Sequence, residues 1–447
     1  MIIVVKQKLI HSKLGQLYKI FTKTNTTRGG VMIEETGRNR DMVSGSTKTK
    51  ALNALYEWLF NTSHLPMFNR VFQGVPSQYV NAAFAKDGTI DGEYKHVIHL
   101  GSYNYSGLNG DTRIIDAARD ALNKYGLTTS GVRLLNGTSD LHLLFEKKLA
   151  KFLGTEDVAT YSSGYAANIS VLNALCSERD IVLSDELNHQ SIVDGLTLSK
   201  TKVMKYPHRD MDGLASLLKS LSSVQRKFIV TDGIFSMDGD LAKLDIIVDL
   251  AKKYNSFIIV DEAHATAACG PSGRGVSAFY NVVGEIDVIT GSLSKGLPGI
   301  GGFAAGKKQT IDFLRYGSNG YIFSASLPPA IPAGLMKALE ILGNEPEIQE
   351  KLHNNEHALR DGIKNIGLNI MHSESPVIPI LLPSRDITFK LAKHLFDNGI
   401  FVNPICFPAV SRRLPRLRLN ASASLSKDNI EQALHCIKDA AKSLSLI

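Results

Sequence analysis

The sequence is poor in cysteine and tryptophan and has no long apolar run, and each shortage excludes a class of protein. Its four cysteines, Cys176, Cys269, Cys406 and Cys436, are too widely spaced for a metal or redox motif. We therefore expect reduced thiols in a cytoplasmic protein without a metal centre. No apolar run approaches the length of a membrane span, and the apolar start of the chain is too short for a signal peptide. This favours a soluble protein that touches membranes, if at all, only peripherally.

A strong excess of one charge is also absent. Lysine and arginine number 50 against 43 aspartates and glutamates, and the basic residues are scattered apart from small clusters such as Arg412 with Arg413. Such a balance favours an ordinary solvated surface over nucleic-acid binding, while a phosphate-bearing or acidic partner stays compatible with it.

At 447 residues the chain exceeds what one hydrophobic core usually serves. Polar stretches at 22–30 and 38–50, followed by an amphipathic piece at 51–60 that holds the only tryptophan, Trp58, predict an accessory arm at 1–60. An N-terminal segment at 61–112 is predicted to follow it. Alternating strand-like and helical patterns predict a large α/β domain at 113–325. Long helical patterns with two weak strands, 377–382 and 416–419, then predict a smaller α+β domain at 326–447.

The alternation within 113–325 predicts a mainly parallel sheet flanked by helices. Helical spacing appears at 114–125, 141–152 and 166–176, and again near the C-terminus at 428–443. Strand-like runs lie at 157–161, 181–184, 202–206, 227–231, 257–260 and 287–290. Ligands of such sheets bind beyond the carboxyl ends of the strands, so the polar residues that follow these runs are the candidates for function.

The last two of these runs are followed by an acid and a lysine. Asp-Glu-Ala-His (261–264) ends one strand, and Lys295 lies in Thr-Gly-Ser-Leu-Ser-Lys-Gly (290–296) after the next. A carbonyl cofactor held by a lysine, with an acid facing its ring nitrogen, needs this set of groups. A lone lysine is more often a solvated charge. The letters Asp-Glu-Ala-His also occur in helicases, but no Gly-x-x-x-x-Gly-Lys-Ser/Thr loop is present, which disfavours nucleotide hydrolysis.

Three further segments follow strand ends, and each has a structural alternative. Ser162-Ser163-Gly164-Tyr165-Ala166-Ala167-Asn168 opens a helix and is typical of an anion site, or of a plain strand-to-helix turn. His189 is suited to stacking on a flat ring, or to a structural role. Ser236 is suited to donating to a cofactor oxygen, or to forming a turn.

These motifs, and their order along the chain, resemble those of pyridoxal-phosphate enzymes with the aspartate aminotransferase fold, and specifically the α-oxoamine synthases. The resemblance runs from about Val97 to the C-terminus. Besides the segments above, it rests on Leu-Gly-Ser-Tyr-Asn-Tyr (100–105), Arg-Leu-Leu-Asn-Gly-Thr (133–138), Asp-Glu-Leu-Asn-His (185–189) and Phe-Ser-Ala-Ser-Leu-Pro-Pro (323–329). It implies fold type I, with a mainly parallel seven-stranded sheet in the large domain, a smaller α+β C-terminal domain, and a homodimer with sites at its interface.

The resemblance also implies roles for individual residues. Lys295 would bind pyridoxal 5'-phosphate covalently and move the α-proton of an amino acid, Asp261 would pair with the ring nitrogen, and His264 would approach the 3-oxygen. The other implied cofactor contacts are His189 stacked on the ring, Ser163, Gly164, Tyr165 and Ser292 at the phosphate, Ser236 beside the cofactor, and Ser324 or Ser326 at the neighbouring subunit's phosphate. Tyr103 and Arg418 would bind the substrate.

Within the family, Leu-Gly-Ser-Tyr-Asn-Tyr is similar to the serine palmitoyltransferase branch. This implies decarboxylative condensation of a small L-amino acid, serine favoured, with a long-chain acyl-CoA. Cys406, however, stands where that branch and the oxononanoate synthases of bacteria have an arginine. A synthase that uses alanine or glycine, or an acyl carrier protein, therefore stays open. An aminotransferase or lyase, and a non-catalytic partner subunit, are further alternatives; the retained Lys295 and Asp261 disfavour the last.

Overall fold

The computed structural model describes residue 67, residues 69–86 and residues 89–447. The accessory arm predicted at 1–60 lies outside these residues. The described part belongs to one compact unit, and the domain boundary predicted between 325 and 326 stays a prediction.

The described residues form three sheets with helices packed around them. The strands are β1 (Arg70–Gln73), β2 (Tyr79–Lys86), β3 (Thr89–His99), β4 (Asp157–Tyr161), β5 (Ile181–Asp185), β6 (Lys202–Tyr206), β7 (Lys227–Asp232), β8 (Phe257–Asp261), β9 (Val288–Ser292), β10 (Gly302–Gly306), β11 (Val377–Leu381), β12 (Ile400–Phe401), β13 (Asn403–Ile405) and β14 (Arg416–Asn420).

The α-helices surround these sheets and follow the predicted helical periods where those were recognised. They are α1 (Thr112–Tyr125), α2 (Asp140–Leu153), α3 (Gly164–Leu175), α4 (Gln190–Ser199), α5 (Met211–Ser220), α6 (Leu244–Tyr254), α7 (Val276–Phe279), α8 (Lys308–Gly317), α9 (Asn319–Ile322), α10 (Ala330–Asn344), α11 (Glu347–Ile366), α12 (Arg385–Asp397) and α13 (Lys427–Ser443). No helix of the described part is both long enough and apolar enough to cross a bilayer.

The central sheet has seven strands in the order β4-β10-β9-β8-β7-β5-β6. Neighbouring strands from β9 through β8, β7 and β5 to β6 are parallel, whereas β10 runs antiparallel to both β4 and β9. The predicted mainly parallel, seven-stranded sheet is thus confirmed. Because the connecting helices return the chain across the faces of the sheet, the carboxyl ends of β5, β7, β8 and β9 meet at one edge.

Strand β10 was not recognised in the sequence. Its residues, Gly-Phe-Ala-Ala-Gly, include no β-branched side chain and do not alternate in polarity, although all five are buried. Four of the five residues are glycine or alanine, and this allows close packing. A Cβ on Gly302 would lie 2.3 Å from the carbonyl oxygen of Ser163, so the glycine gives room to the loop that opens α3.

Helix α3 is seated on the centre of the sheet through a buried apolar face. Val171 and Leu172 of this helix pack with Val230 and Ile259 of the sheet in one apolar cluster. The helix begins where Ser163 accepts a hydrogen bond from the amide of Ala166, 3.0 Å away. This packing fixes the first turn of α3 at the same edge of the sheet as the strand ends.

Two smaller sheets flank the central one. One has the order β1-β2-β3-β12, with β12 parallel to β3, and the other is the antiparallel β11-β14-β13. The first positions the loop that carries Tyr103, directly after β3. The second holds Arg418 in the middle of β14.

Candidate active site

A cavity of about 250 Å³ lies at the edge of the central sheet where the strand ends meet. Eight of the predicted site residues line it: Ser163, Gly164, Tyr165, His189, Asp261, His264, Ser292 and Lys295. Its other lining residues are Asn168, Ser191, Asp232, Ile234, Ala263 and Ser294. Residues from five separate loops are therefore brought together as the parallel sheet predicts.

Lys295 lies between this cavity and a second one of about 520 Å³, which Tyr103 and Arg418 also line. Burial lowers the pKa of Lys295 to about 8, against the opposing effect of the nearby Asp261 carboxylate. A substantial fraction of the amine is therefore neutral near pH 7.5, and a neutral amine can act as a nucleophile or accept a proton.

The Asp261 carboxylate is held in place by hydrogen bonds to both of its oxygens. The side-chain amide of Asn168 donates to Oδ2 at 2.6 Å, and the backbone amide of Ala263 donates to Oδ1 at 2.9 Å. Asn168 is itself oriented, since its Oδ1 accepts from the hydroxyl of Thr290 at 2.6 Å. The sequence did not predict this role, although Asn168 is the last residue of the motif at 162–168. Its position in the first helical turns after a strand end could have indicated it.

Asp232 is a second buried acid in the same cavity, and it was also missed. It lies opposite Asp261 in the register of β7 and β8. Burial, together with the charge of Asp261, raises the pKa of Asp232 well above its usual range. The raised pKa favours the protonated form of Asp232, whereas Asp261 is the acid whose carboxylate is held by two donors.

The two histidines occupy different environments. His189 lies at the rim, where its Nδ1 is 2.7 Å from the hydroxyl of Ser191 and its ring meets the edge of Tyr165. His264 is enclosed, and its Nδ1 is 2.8 Å from the hydroxyl of Tyr105. Burial lowers the pKa of both histidines, and for His264 the nearby Lys295 and Arg418 lower it further.

The start of helix α3 closes one end of the cavity. The first amides of a helix have no helical acceptor, and the aligned peptide dipoles favour an anion there. Gly164 stands at this point, and a Cβ on it would lie 3.1 Å from the Cβ of Ser292. The cradle made by Ser163, Gly164 and Ser292 thus has the shape and donors that a phosphate group requires.

Arg418 and Tyr103 form the polar wall of the second cavity. A guanidinium nitrogen of Arg418 donates to the Tyr103 hydroxyl, and the other donates to the carbonyl oxygen of Ser236 at 3.1 Å. The Tyr103 ring lies with its centroid 5.8 Å from Nζ of Lys295. Both predicted substrate-binding residues are therefore adjacent to the lysine.

Three predicted cofactor contacts do not line the first cavity. Ser236 contacts Arg418 through its carbonyl, and Ser326 donates its amide to the carbonyl of Gly131 at 3.0 Å. Ser324 and Ser326 were expected to reach a neighbouring subunit, so their roles stay predictions. Cys406 is buried and lines neither cavity.

The residues present fit pyridoxal phosphate. The cavity offers a carboxylate fixed by Asn168 for the ring nitrogen, a lysine with a lowered pKa for the aldehyde, and a glycine-lined helix start for the phosphate. These three groups come from the sheet and from α3, whose mutual packing sets their separation.

Known proteins resemble this chain in sequence and in structure. Residues 95–437 match the model of the aminotransferase class I and II family. An 8-amino-7-oxononanoate synthase from Bacillus subtilis is 40% identical over 354 residues, which cover 79% of this chain and 90% of that protein. A serine palmitoyltransferase from Sphingobacterium spiritivorum is 41% identical over 345 residues, covering 77% of this chain and 86% of that protein. The fold matches that of a serine palmitoyltransferase from S. paucimobilis, solved with pyridoxal phosphate and myriocin bound, at a TM-score of 0.85 and 31% identity, over 91% of this chain and 100% of that one.

Proposed function

Because the chain belongs to the α-oxoamine synthases, pyridoxal-phosphate-dependent acyltransferases within the aminotransferase class I and II family, we propose that it acts on L-serine and a long-chain acyl-CoA. The reaction class follows from the family: an amino acid and an acyl thioester condense, and carbon dioxide and the free thiol leave. The product of the proposed pair is a long-chain 2-amino ketone. The observation that carries the proposed chemistry is Lys295, placed between the cofactor cavity and the cavity of Tyr103 and Arg418.

Pyridoxal phosphate, when bound, supplies an electron sink that stabilises negative charge on the α-carbon of an attached amino acid. Asp261 is the group that we propose keeps the ring nitrogen protonated, because its carboxylate is fixed by Asn168 and Ala263. His189, at the rim of the cavity, is proposed to pack against one face of the ring. The start of α3 and Ser292 are proposed to bind the phosphate.

Lys295 is proposed to take the α-proton on Nζ, since its lowered pKa leaves a neutral amine available. Arg418 is proposed to bind the α-carboxylate. Its guanidinium lies 5.0 Å from the centroid of the Tyr103 ring, on the same wall as Lys295. An amino acid carboxylate bound there would compete with the Tyr103 hydroxyl for the guanidinium, and Tyr103 would then be free to contact the thioester.

The choice of serine and a long acyl chain rests on the Tyr-Asn-Tyr segment at 103–105 and on the close likeness to serine palmitoyltransferases. A second candidate is supported by the Bacillus oxononanoate synthase, which is about as similar in sequence as the serine palmitoyltransferase. Cys406 departs from both kinds of enzyme, and its buried thiol provides no cation for a carboxylate. The second candidate is a synthase that takes alanine or glycine, with an acyl group on coenzyme A or a carrier protein.

A homodimer is proposed as the working form. Among the described residues, large apolar side chains lie exposed before α2, in α8 and directly after α9, with Leu135 at 83%, Tyr316 at 74% and Phe323 at 76% exposure. Leu134, Leu143 and Tyr316 line a single surface depression. Exposed apolar area on this scale is typical of a surface that another subunit covers.

The test is a titration of the cofactor's absorption spectrum with L-serine, L-alanine and glycine, followed by turnover with acyl thioesters of different chain lengths. Carbon dioxide release and the product mass identify the substrates. Serine and palmitoyl-CoA should give the fastest release. Faster turnover with alanine or glycine would favour the second candidate, and no carbon dioxide with any pair would contradict the proposed reaction.

A further inference from the structure

Tyr105 is buried at the floor of the site and meets it through one hydrogen bond. Its side chain is 0% exposed, and its hydroxyl lies 2.8 Å from Nδ1 of His264. It stands two residues beyond Tyr103, and the backbone amide of Ala423 donates to its carbonyl at 2.8 Å. The side chain does not line the cavity itself.

Both partners in this hydrogen bond are neutral. Burial raises the pKa of Tyr105 above its usual range, and burial with the charges of Lys295, Arg418 and His189 lowers that of His264 well below it. The ring of Tyr103 also contacts His264 edge-on, with the two ring centroids 5.4 Å apart. A neutral imidazole carries its single proton on one of its two nitrogens, and the neighbours decide which.

The direction of the hydrogen bond decides the tautomer. If Nδ1 carried the proton and donated it, the Tyr105 O–H would need another hydrogen-bond acceptor. Within the described residues, His264 is the only hydrogen-bond partner of this hydroxyl. A buried O–H without an acceptor is costly. Tyr105 therefore donates to Nδ1, and the proton of His264 resides on Nε2. Since His264 lines the cavity and Nδ1 is turned to Tyr105, Nε2 is the nitrogen that faces the cavity.

We propose that Tyr105 is a positioning residue, which holds His264 as the Nε2–H tautomer so that this histidine donates a hydrogen bond to the phenolic oxygen of bound pyridoxal phosphate. The proposal rests on the cofactor assignment and is independent of which amino acid or thioester reacts. Donation to this oxygen stabilises its deprotonated form. An imidazole with the opposite tautomer would present a lone pair to the same oxygen and repel it.

The direct test is nitrogen-15 NMR of the full-length protein labelled at histidine, cofactor-free and cofactor-loaded, with His264→Gln used only to assign the resonance. The expected result is an unprotonated Nδ1 and a protonated Nε2 in both forms. A protonated Nδ1 would overturn the proposal. The measurement involves no substrate, so it stands or falls separately from the proposed reaction.

The second test compares Tyr105→Phe with Tyr161→Phe. The Tyr161 hydroxyl is also buried and hydrogen-bonded, at 3.0 Å from Ser318, but it lines neither cavity. In Tyr105→Phe we expect the cofactor dissociation constant to rise roughly 10-fold and the pH midpoint of its visible absorption band to rise. Tyr161→Phe should shift neither, although both variants lose a buried hydrogen bond. Equal behaviour of the two variants would overturn the proposal, and the NMR measurement on the unmodified chain decides the question if Tyr105→Phe does not fold.

Discussion

Asp232 and Asp261 stand side by side in register at the carboxyl ends of β7 and β8, yet only Asp261 is held by two hydrogen-bond donors on its carboxylate. Asp232 accepts one long bond, from the amide of His189 at 3.3 Å, and its pKa is raised well above the usual range by burial and by Asp261. Two acids at equivalent positions thus lie in different surroundings, and those of Asp232 favour its protonated form.

Substituting each acid by asparagine should show which of the two must carry a negative charge for turnover. Asp261→Asn removes the fixed charge, so turnover should fall by roughly 100-fold to 1,000-fold. Because the raised pKa of Asp232 favours its protonated form, Asp232→Asn, which keeps Oδ1 for His189, should cost less than about 10-fold. Steady-state turnover of the two cofactor-loaded variants is the measurement. Equal losses would show that both acids are ionised.

The lowered pKa of Lys295 should appear in the uptake of the cofactor. Only the neutral amine attacks an aldehyde, so the rate of pyridoxal phosphate incorporation into the cofactor-free protein should rise with pH and level off above about pH 8. Stopped-flow absorbance at a series of pH values gives the profile. A rate that continues to climb towards pH 10 would indicate an ordinary, solvated lysine.

Removing Lys295 tests its two roles together. Lys295→Ala should lose turnover by roughly 100-fold to 10,000-fold, because no other described group replaces the proton acceptor. The absorption band that reports covalent attachment of the cofactor should vanish while the far-ultraviolet circular dichroism is unchanged. A band identical to that of the unmodified protein would refute the assignment of this lysine.

Arg418 should control binding of the amino acid more than the chemical step. Arg418→Lys loses the planar pair of donors, so KM for the amino acid should rise roughly 10-fold to 100-fold, with a smaller change in kcat. Arg416→Lys is the matched control, because Arg416 bonds Asp238 at 2.7 Å and lines neither cavity. Arg416→Lys should alter the stability of the protein and leave KM for the amino acid unchanged. The reverse pattern would move carboxylate binding away from Arg418.

His208 should make stability depend on pH at the alkaline side. Burial lowers its pKa, but hydrogen bonds to Asp185 at 3.0 Å and Asp240 at 2.9 Å outweigh this and raise it to about 10. A raised pKa in the folded state stabilises the protein below the unfolded value of about 6.5, and this contribution is lost as the pH rises through 10.

The His208 contribution is measured by urea unfolding at pH 7 and pH 10. The unmodified protein should lose more stability between these values than His208→Gln does. His435→Gln is the control, since His435 pairs with Asp439 on an exposed face of α13. An equal pH dependence in the protein and in His208→Gln would exclude a charged His208 at neutral pH.

The strands of the fold could largely be predicted from the sequence because each is encoded by a pattern of a few neighbouring residues. The runs at 157–161 and 202–206 match β4 and β6 residue for residue, and the other predicted strands agree within one or two residues. The central parallel strands, such as β7 and β8, are buried and hold continuous apolar runs, which a short window detects. Strand β10 was not recognised because four of its five residues are glycine or alanine, which carry no such pattern; Gly302 among them packs against Ser163.

The sequence by itself determined the order of the motifs, the class of fold, and the lysine and acid on which the cofactor assignment rests, since each of these lies within a few neighbouring residues. Only the tertiary structure decided how these groups are held and charged. Asn168 reaches Asp261 across 93 positions and Tyr105 reaches His264 across 159, and burial beside Asp261 raises the pKa of Asp232, one of two acids that look alike in the chain. Contacts between distant residues, and the loss of water around a charged group, depend on how helices and loops pack on the sheet, which no local pattern encodes.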